Sequence, residues 1–281
     1  MSFLDRIAEC NAHEPAAYRP FFAAGRRVGA VRHALADRLA SMPAIFAVAP
    51  DGVTLNPAFD APPARTAALD RAVRALEADG IVQGRRNENY PACPEWGRPA
   101  DFEIERAAAP HFGIRSYGVH MTGYVRKPDG LHIWVARRAR AKPTYPGMLD
   151  NTVAGGQPVG LGLVENMIKE CGEEAGIPPD LARGVVPVGA ISYRMDAPDG
   201  LKPDVQFCFD LELPSEFTPR NTDGEIDEFF LWPWRRVAET VERTREFKFN
   251  CNLVLIDFFV RHGLIAPDHP DYLAICAGLR R

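Results

Sequence analysis

The sequence of 281 residues has no excess of basic charge: 33 Lys and Arg face 37 Asp and Glu, a formal net charge of −4. No global positive field is present to draw the chain onto nucleic acid. Long apolar runs are also missing. "NLVLIDFFV", near the C-terminus, is broken by Asp257 and falls far short of the roughly 20 apolar residues that span a membrane. The cysteines Cys10, Cys93, Cys171, Cys208, Cys251 and Cys276 are scattered, with no C-x-x-C pair and no Cys/His cluster at zinc spacing. They read as reduced, mostly buried thiols, and the expected location is cytoplasmic. "MSFLDRIAEC" carries acidic residues and no apolar core, so it is not read as a signal peptide. Internal repeats and low-complexity segments are absent. What remains is an ordinary globular composition, 46% hydrophobic and 25% charged. The 25 prolines and 23 glycines imply many turns.

Residues 1–110 read as a smaller α/β domain. Ser2 is a candidate N-cap with Asp5 three residues on. Val28, Val31, Leu35 and Leu39 recur at helical spacing. Phe46 and Val48, then Asp51-Gly52, then Val53 and Leu55 read as a hairpin. "TAALDRAVRALEADG" is a helix with Thr66 as its candidate cap, Leu69, Val73 and Leu76 inward, and Gly80 as its stop. "GRRNENYPACPEWGRPADF" is expected to be an irregular connector. From residue 111 to 281 strands dominate: "SYGVHMTGYV", a turn at Pro128-Asp129-Gly130, "LHIWVARR", "VVPVGAISYRM", "VQFCFDLEL" and "EIDEFFLWPW". Helices follow in "WRRVAETVERT" and "NLVLIDFFVRHGLI". This order argues for an α+β domain with helices flanking a mixed sheet.

One segment, "GGQPVGLGLVENMIKECGEEAGI" (155–177), carries chemistry. As a helix from Leu163 to Ala175, it aligns Val164, Met167, Ile168, Cys171 and Ala175 in one apolar stripe. Glu170, Glu173 and Glu174 share another face. Like charges at that spacing cost a few tenths of a kcal/mol per pair, and Gly172 inside the helix costs about 1 kcal/mol more. Either the face is solvated, or it holds a hard divalent cation that reverses the penalty. The glutamates alone leave both open.

The spacing of the whole segment resembles the Nudix box. Gly155 opens it, and "KECGEEAGI" closes it with Glu170, Glu173, Glu174, Gly176 and Ile177 in register. Leu161 stands where the box has its first glutamate, and Lys169 stands for arginine, losing the bidentate fork. Glu165, four residues before Lys169, is the substitute partner. "DNTVAGG", "NTDGEIDEFFLWP", "FKFNCNLVLIDFFVRHG" and "YRPFFAAGRRVGAV" further resemble the thiamine pyrophosphokinase-related branch of that family. The resemblance implies an α/β/α sandwich and a divalent metal, Mg²⁺ or alternatively Mn²⁺. It implies hydrolysis of a small-molecule diphosphate, with thiamine diphosphate or its oxidised or antimetabolite analogues favoured. No nucleic acid or membrane partner is expected, and homodimerisation stays open. The role of the N-terminal domain is open between a lid, substrate recognition and dimerisation.

Under that resemblance the metal would be held by Glu170, Glu173, Glu174 and the carbonyl of Gly155 or Gly156. The catalytic candidates are Glu173, Lys169 and Glu225. Glu225 is preferred over Asp223, Asp227 and Glu228 because the Asp223-Gly224 turn delivers it to a strand start. Arg137, Arg138, Arg140 and Lys142 are candidate phosphate ligands, each weighed against a solvated strand end, with Lys202 weaker. Trp96, Trp134, Tyr145, Trp232 and Trp234 could stack on a ring, although strand aromatics more often pack in cores. His120 and His132 read as structural. Competing readings are hydrolysis of ADP-ribose or dinucleotides, and a binding module that Leu161 keeps alive. "KPTYPGMLDNT" also resembles isopentenyl diphosphate isomerase, but Val153 sits where that chemistry needs cysteine.

Overall fold

The computed structural model describes residues 2–93 and 95–281; Pro94, within the expected connector, lies outside them. The first part of the chain forms α1 (Phe3–Glu9), β1 (Tyr18–Ala23), β2 (Arg26–Arg32), α2 (His33–Leu39), β3 (Phe46–Ala49), β4 (Gly52–Leu55), α3 (Pro62–Ala78), β5 (Asn89–Ala92) and β6 (Phe102–Glu105). Next come β7 (Tyr117–Lys127), β8 (Gly130–Arg138), β9 (Leu149–Asp150), β10 (Val153–Gly156), α4 (Leu163–Ala175) and α5 (Pro179–Ala182). The last part forms β11 (Val186–Ser192), β12 (Met195–Ala197), β13 (Gly200–Lys202), β14 (Val205–Glu212), β15 (Ile226–Pro233), α6 (Trp234–Arg243), α7 (Phe249–Arg261) and α8 (Tyr272–Gly278).

The order β2-β1-β4-β3 makes a small sheet in which β1 and β4 run parallel and the other pairs antiparallel. Its core joins Phe21, Val31, Val53, Leu69, Val73, Leu76, Phe102 and Phe112. The expected hairpin pairs Phe46 with Leu55 and Val48 with Val53. The helix expected across Val28–Leu39 is instead a strand followed by a short helix. Arg26–Arg32 pairs with β1, so Val28 and Ala30 point inward at a period of two, and helical geometry begins at His33. Thr66 does not cap α3. Pro62 and Pro63 start it, where a missing N–H costs nothing, and Thr66 Oγ1 accepts from the Glu103 N–H. The expected connector contains β5, which pairs antiparallel with β6.

The larger sheet has the order β11-β14-β7-β8-β15, with β10 added to β7 and β9 to β8. It is mixed, since β14 and β7 are parallel. Alternation along β7 sends Val119, Met121 and Val125 towards α4, and His120, Thr122 and Tyr124 to the opposite face. On the α4 side Met167, Cys171 and Ala175 pack against Val119, Met121, Val153 and Phe209. On the other side lie α6, α7, α8 and α1. The result is an α+β fold whose larger body is a sheet between two helical layers.

The first helix has the capping box expected at Ser2: its Oγ accepts from the Asp5 N–H, and Asp5 accepts from the Ser2 N–H. It packs on the last helices. The Phe3 and Phe259 rings lie 6.3 Å apart, and Ile7 is seated where a Cβ at Gly278 would come within 2.7 Å. The hairpin β12–β13 grips the small sheet: Asp196 accepts from Tyr18 Oη at 2.6 Å, and Ala197 O accepts from Arg32 at 2.7 Å.

Because Ile7 sits in a seat shaped around it, Ile7→Ala should leave a cavity and lower the unfolding free energy by about 2–4 kcal/mol. Urea titration followed by tryptophan fluorescence measures this. A change below 1 kcal/mol would show that α1 does not stabilise the helical layer.

Candidate functional site

The expected helix spans Leu163–Ala175 and stops at Gly176, whose φ of 60° is the left-handed conformation glycine adopts readily. Burial divides its glutamates. Glu174 is 5% exposed, and its Oε2 accepts from the Ala154 N–H at 2.8 Å. Burial raises its carboxyl well above the usual range, helped by Asp150 and Glu170; the Ala154 N–H and Lys142 oppose this. Glu170, one turn away, is half-buried, and burial also raises its carboxyl, against the pull of Lys169. Glu173 is exposed and accepts from Lys169 Nζ at 2.6 Å. Val164, expected in the apolar stripe, is 43% exposed.

The glycines of β10 make this geometry reachable. A Cβ at Gly155 would lie 2.5 Å from Glu170 Cδ, so any other residue would push the carboxylate away. Two crowded carboxyls and the adjoining Gly155–Gly156 backbone form an all-oxygen donor set with surplus negative charge, which suits a hard divalent cation. Glu165 does not reach Lys169. Its Oε2 accepts from the Gly162 N–H at 3.4 Å and closes a capping box at the helix start. Lys169 bonds Glu170 Oε1 at 3.3 Å in addition to Glu173.

Across from the helix, Glu225 stands at the entry to β15. Its backbone N–H bonds Asp223 Oδ1 at 2.8 Å in the expected turn, and its carboxylate pairs with Lys142 Nζ. Burial alone would raise its carboxyl; the bond and charge of Lys142, with Arg106 and Arg138 nearby, bring it below the usual range. Lys142 also acts electrostatically on Glu174. Glu174 is thus acted on from two directions, by the charge of Glu170 on its own helix and by Lys142, the partner of Glu225. The other basic candidates lead elsewhere. Arg138 is buried, pairs with Asp150 at 2.7 Å, and donates to Thr144 O and Tyr145 O. Arg137 donates to Gly147 O and lies 5.2 Å over the Phe230 ring. Arg140 is exposed, with its backbone N–H on Asp227. Lys202 pairs with Asp199 at 3.1 Å.

Several polar residues near the site were not singled out from the sequence. Asp150 is buried and bonded by Arg138, by the Asn151 N–H and by Cys251 Sγ at 2.7 Å. Burial would raise its carboxyl, but Lys248, Arg138 and His120 hold it far below the usual range. His120, read from the sequence as structural, lies beside it: it contacts Asn151 Oδ1 at 2.8 Å through Nδ1, and burial, with Lys248, lowers it to about 4. The ligand atoms of His120, Asp150 and Cys251 lie within 4.8 Å of one another and could hold a metal. Arg138 and Lys248 already neutralise this carboxylate, so the glutamates of α4 are the stronger candidates. Tyr90 and Arg106 arrive from the N-terminal part: Tyr90 Oη would lie 1.8 Å from a Cβ at Gly156, and Arg106 lies 5.5 Å over the Tyr90 ring. No local motif announces these residues, because contacts such as Tyr90 with Gly156 and Asp150 with Cys251 join segments far apart in sequence. Of the aromatics, Trp134 and Trp232 are buried. Trp96, 46% exposed, packs 4.7 Å from Tyr117 and from Phe207.

Residues 2–116 match a family model described as a domain of unknown function (DUF4743). The chain is 43% identical over 282 residues to Nudix hydrolase 24, chloroplastic, of Arabidopsis thaliana, covering 99% of this chain and 77% of that protein. It is 42% identical over 289 residues to Nudix hydrolase 20, chloroplastic, of the same plant, with the same coverage of 99% and 77%. Among solved structures, a MutT/nudix family protein from Enterococcus faecalis aligns with a TM-score of 0.43 at 14% identity, covering 59% of this chain and 69% of that one. The cytoplasmic location expected from the cysteines is corrected here: both plant relatives are named chloroplastic. Reduced thiols are not peculiar to the cytoplasm, so they did not carry that expectation.

Arg138→Met should strand the buried Asp150 carboxylate and destabilise the fold by about 3 kcal/mol, measured by urea unfolding. An unchanged unfolding midpoint with weakened phosphate binding would instead make Arg138 a ligand of substrate.

Proposed function

The chain belongs to the Nudix hydrolases, enzymes that act on diphosphate linkages, and from that premise we propose that thiamine diphosphate, or an oxidised or antimetabolite analogue, is its substrate. The product is the monophosphate. The likeness of the segments around "DNTVAGG" and "FKFNCNLVLIDFFVRHG" to the thiamine pyrophosphokinase-related branch supports this choice. The observation that carries the chemistry is the pair of carboxyls pressed on β10, Glu170 against Gly155 and Glu174 on the Ala154 N–H.

Nudix hydrolases generally use divalent metal ions. In this reading Glu170, Glu173, Glu174 and the Gly155 carbonyl hold one, Mg²⁺ in preference to Mn²⁺. When bound, it neutralises charge developing on the phosphoryl oxygens and acidifies a water. The chain's own residues supply the rest. Lys169 orients Glu173 and Glu170. Lys142 binds a phosphate oxygen. Glu225 is the general base, and its pairing couples the two roles. A diphosphate competes for Lys142; when Lys142 turns to phosphate, Glu225 loses the contact that holds its carboxyl down and becomes a stronger base.

Product formation from thiamine diphosphate, its oxidised analogue, ADP-ribose and a dinucleotide, with Mg²⁺ or Mn²⁺, tests the substrate. The thiamine compounds should be turned over fastest. Preference for ADP-ribose or the dinucleotide overturns that choice, and no turnover of any compound overturns the hydrolase reading. Glu225→Gln should lower kcat by about 10²–10⁴-fold with little change in KM; an unchanged kcat removes it as the base. Glu174→Gln should lose most activity at every metal concentration, and full activity in that variant would sink the metal assignment.

A further inference from the structure

We propose that Arg106, from the N-terminal segment, binds the substrate's diphosphate, that Tyr90 carries it beside the glycine loop, and that Glu88 occupies it until the diphosphate competes. The inference rests on the diphosphate reading above and gives the N-terminal segment a part in the site. Strand β5 lies directly on the loop that joins β10 to α4. Asn89 O accepts from the Val159 N–H at 3.3 Å, and the Tyr90 hydroxyl occupies the space that a side chain at Gly156 would need. Gly155, the next residue, faces Glu170 in the same close manner. The two glycines thus admit a metal-site carboxylate on one face of the strand and an N-terminal tyrosine on the other, at successive residues.

Arg106 is mounted on that tyrosine. Its guanidinium lies 5.5 Å over the Tyr90 ring and bonds Glu88 Oε2 at 2.8 Å. A single acceptor leaves most of a five-donor fork for another partner. The side chain is 45% exposed, so a ligand can approach it. Its charge acts on both Glu170 and Glu225. Of the basic side chains expected to clamp phosphate, Arg138 is buried and committed to Asp150 and two backbone carbonyls. Lys142 is a compact point charge, whereas Arg106 offers the planar, bidentate geometry that phosphate favours. Glu88 holds the guanidinium in place until a diphosphate with more charge competes for it.

The test is calorimetric titration of the full chain, with Mg²⁺, with methylenediphosphonate, a diphosphate analogue that cannot be hydrolysed. Arg106→Gln should bind it about ten- to a hundredfold more weakly than the wild type. Arg106→Lys should fall between the two. Glu88→Gln should bind more tightly, because it releases the guanidinium. A structural Arg106 predicts a lower melting temperature with unchanged affinity, and that result overturns the proposal, as does a wild type that binds no methylenediphosphonate. If Arg106→Gln does not fold, unchanged affinity in both Glu88→Gln and Arg106→Lys overturns it. Weakened binding in Arg106→Gln without turnover of thiamine diphosphate would leave this inference standing and the substrate choice fallen. Equal affinity with brisk turnover would do the reverse.

Discussion

The close approach of α4 to β10 is the constraint on which the site depends. Between Glu170 and the strand there is no room for a side chain, and Gly155 provides that absence. Ala154 fixes the other end of the contact by donating its N–H to Glu174. A helix pressed this closely against a sheet buries carboxylates that would otherwise be solvated. Burial then raises both above their ordinary range, a cost that a bound cation offsets. The apolar side of the same helix, through Met167 and Cys171, supplies the packing that keeps the strained contact closed.

Charge around this contact is arranged in two tiers. The outer tier lies at the rim and is adjustable: Lys169 with Glu173, Arg106 with Glu88, and the half-buried pair of Lys142 with Glu225. Such pairs contribute little to stability, so their partners can be exchanged at small cost. The inner tier is buried and fixed. Asp150 with Arg138, Cys251 and Asn151 ties β8 and β9 to α7. A fixed network beneath an adjustable one lets the rim answer a ligand while the frame stays in place.

Much of the local structure was legible in the sequence, for local reasons. The hairpin around Asp51-Gly52, the turn at Pro128-Asp129-Gly130 and the helix from Leu163 to Ala175 each carry their own periodicity and punctuation. The reading failed where a neighbour decided the outcome. Val28 to Leu39 fits a helical period, but pairing with β1 pulls its first half into a strand. Thr66 resembles a cap until Pro62 and Pro63 are seen to start the helix earlier. Glu165 sits at the right spacing for Lys169, yet the free Gly162 N–H is nearer and takes it. Tyr90, Arg106 and Asp150 acquire meaning through contacts between distant segments, which no window of sequence contains.

The placement of α1 bears on how the chain is made. Phe3 and Ile7 are buried by Phe259 and by the helix that ends at Gly278. During synthesis the N-terminal residues emerge first, and domains generally fold as they appear. The small sheet can close early around its own core, but α1 has to wait for nearly the whole chain. Until then Phe3 and Ile7 lack the surface that buries them, and a segment of 7 residues is too short to hold helical form alone.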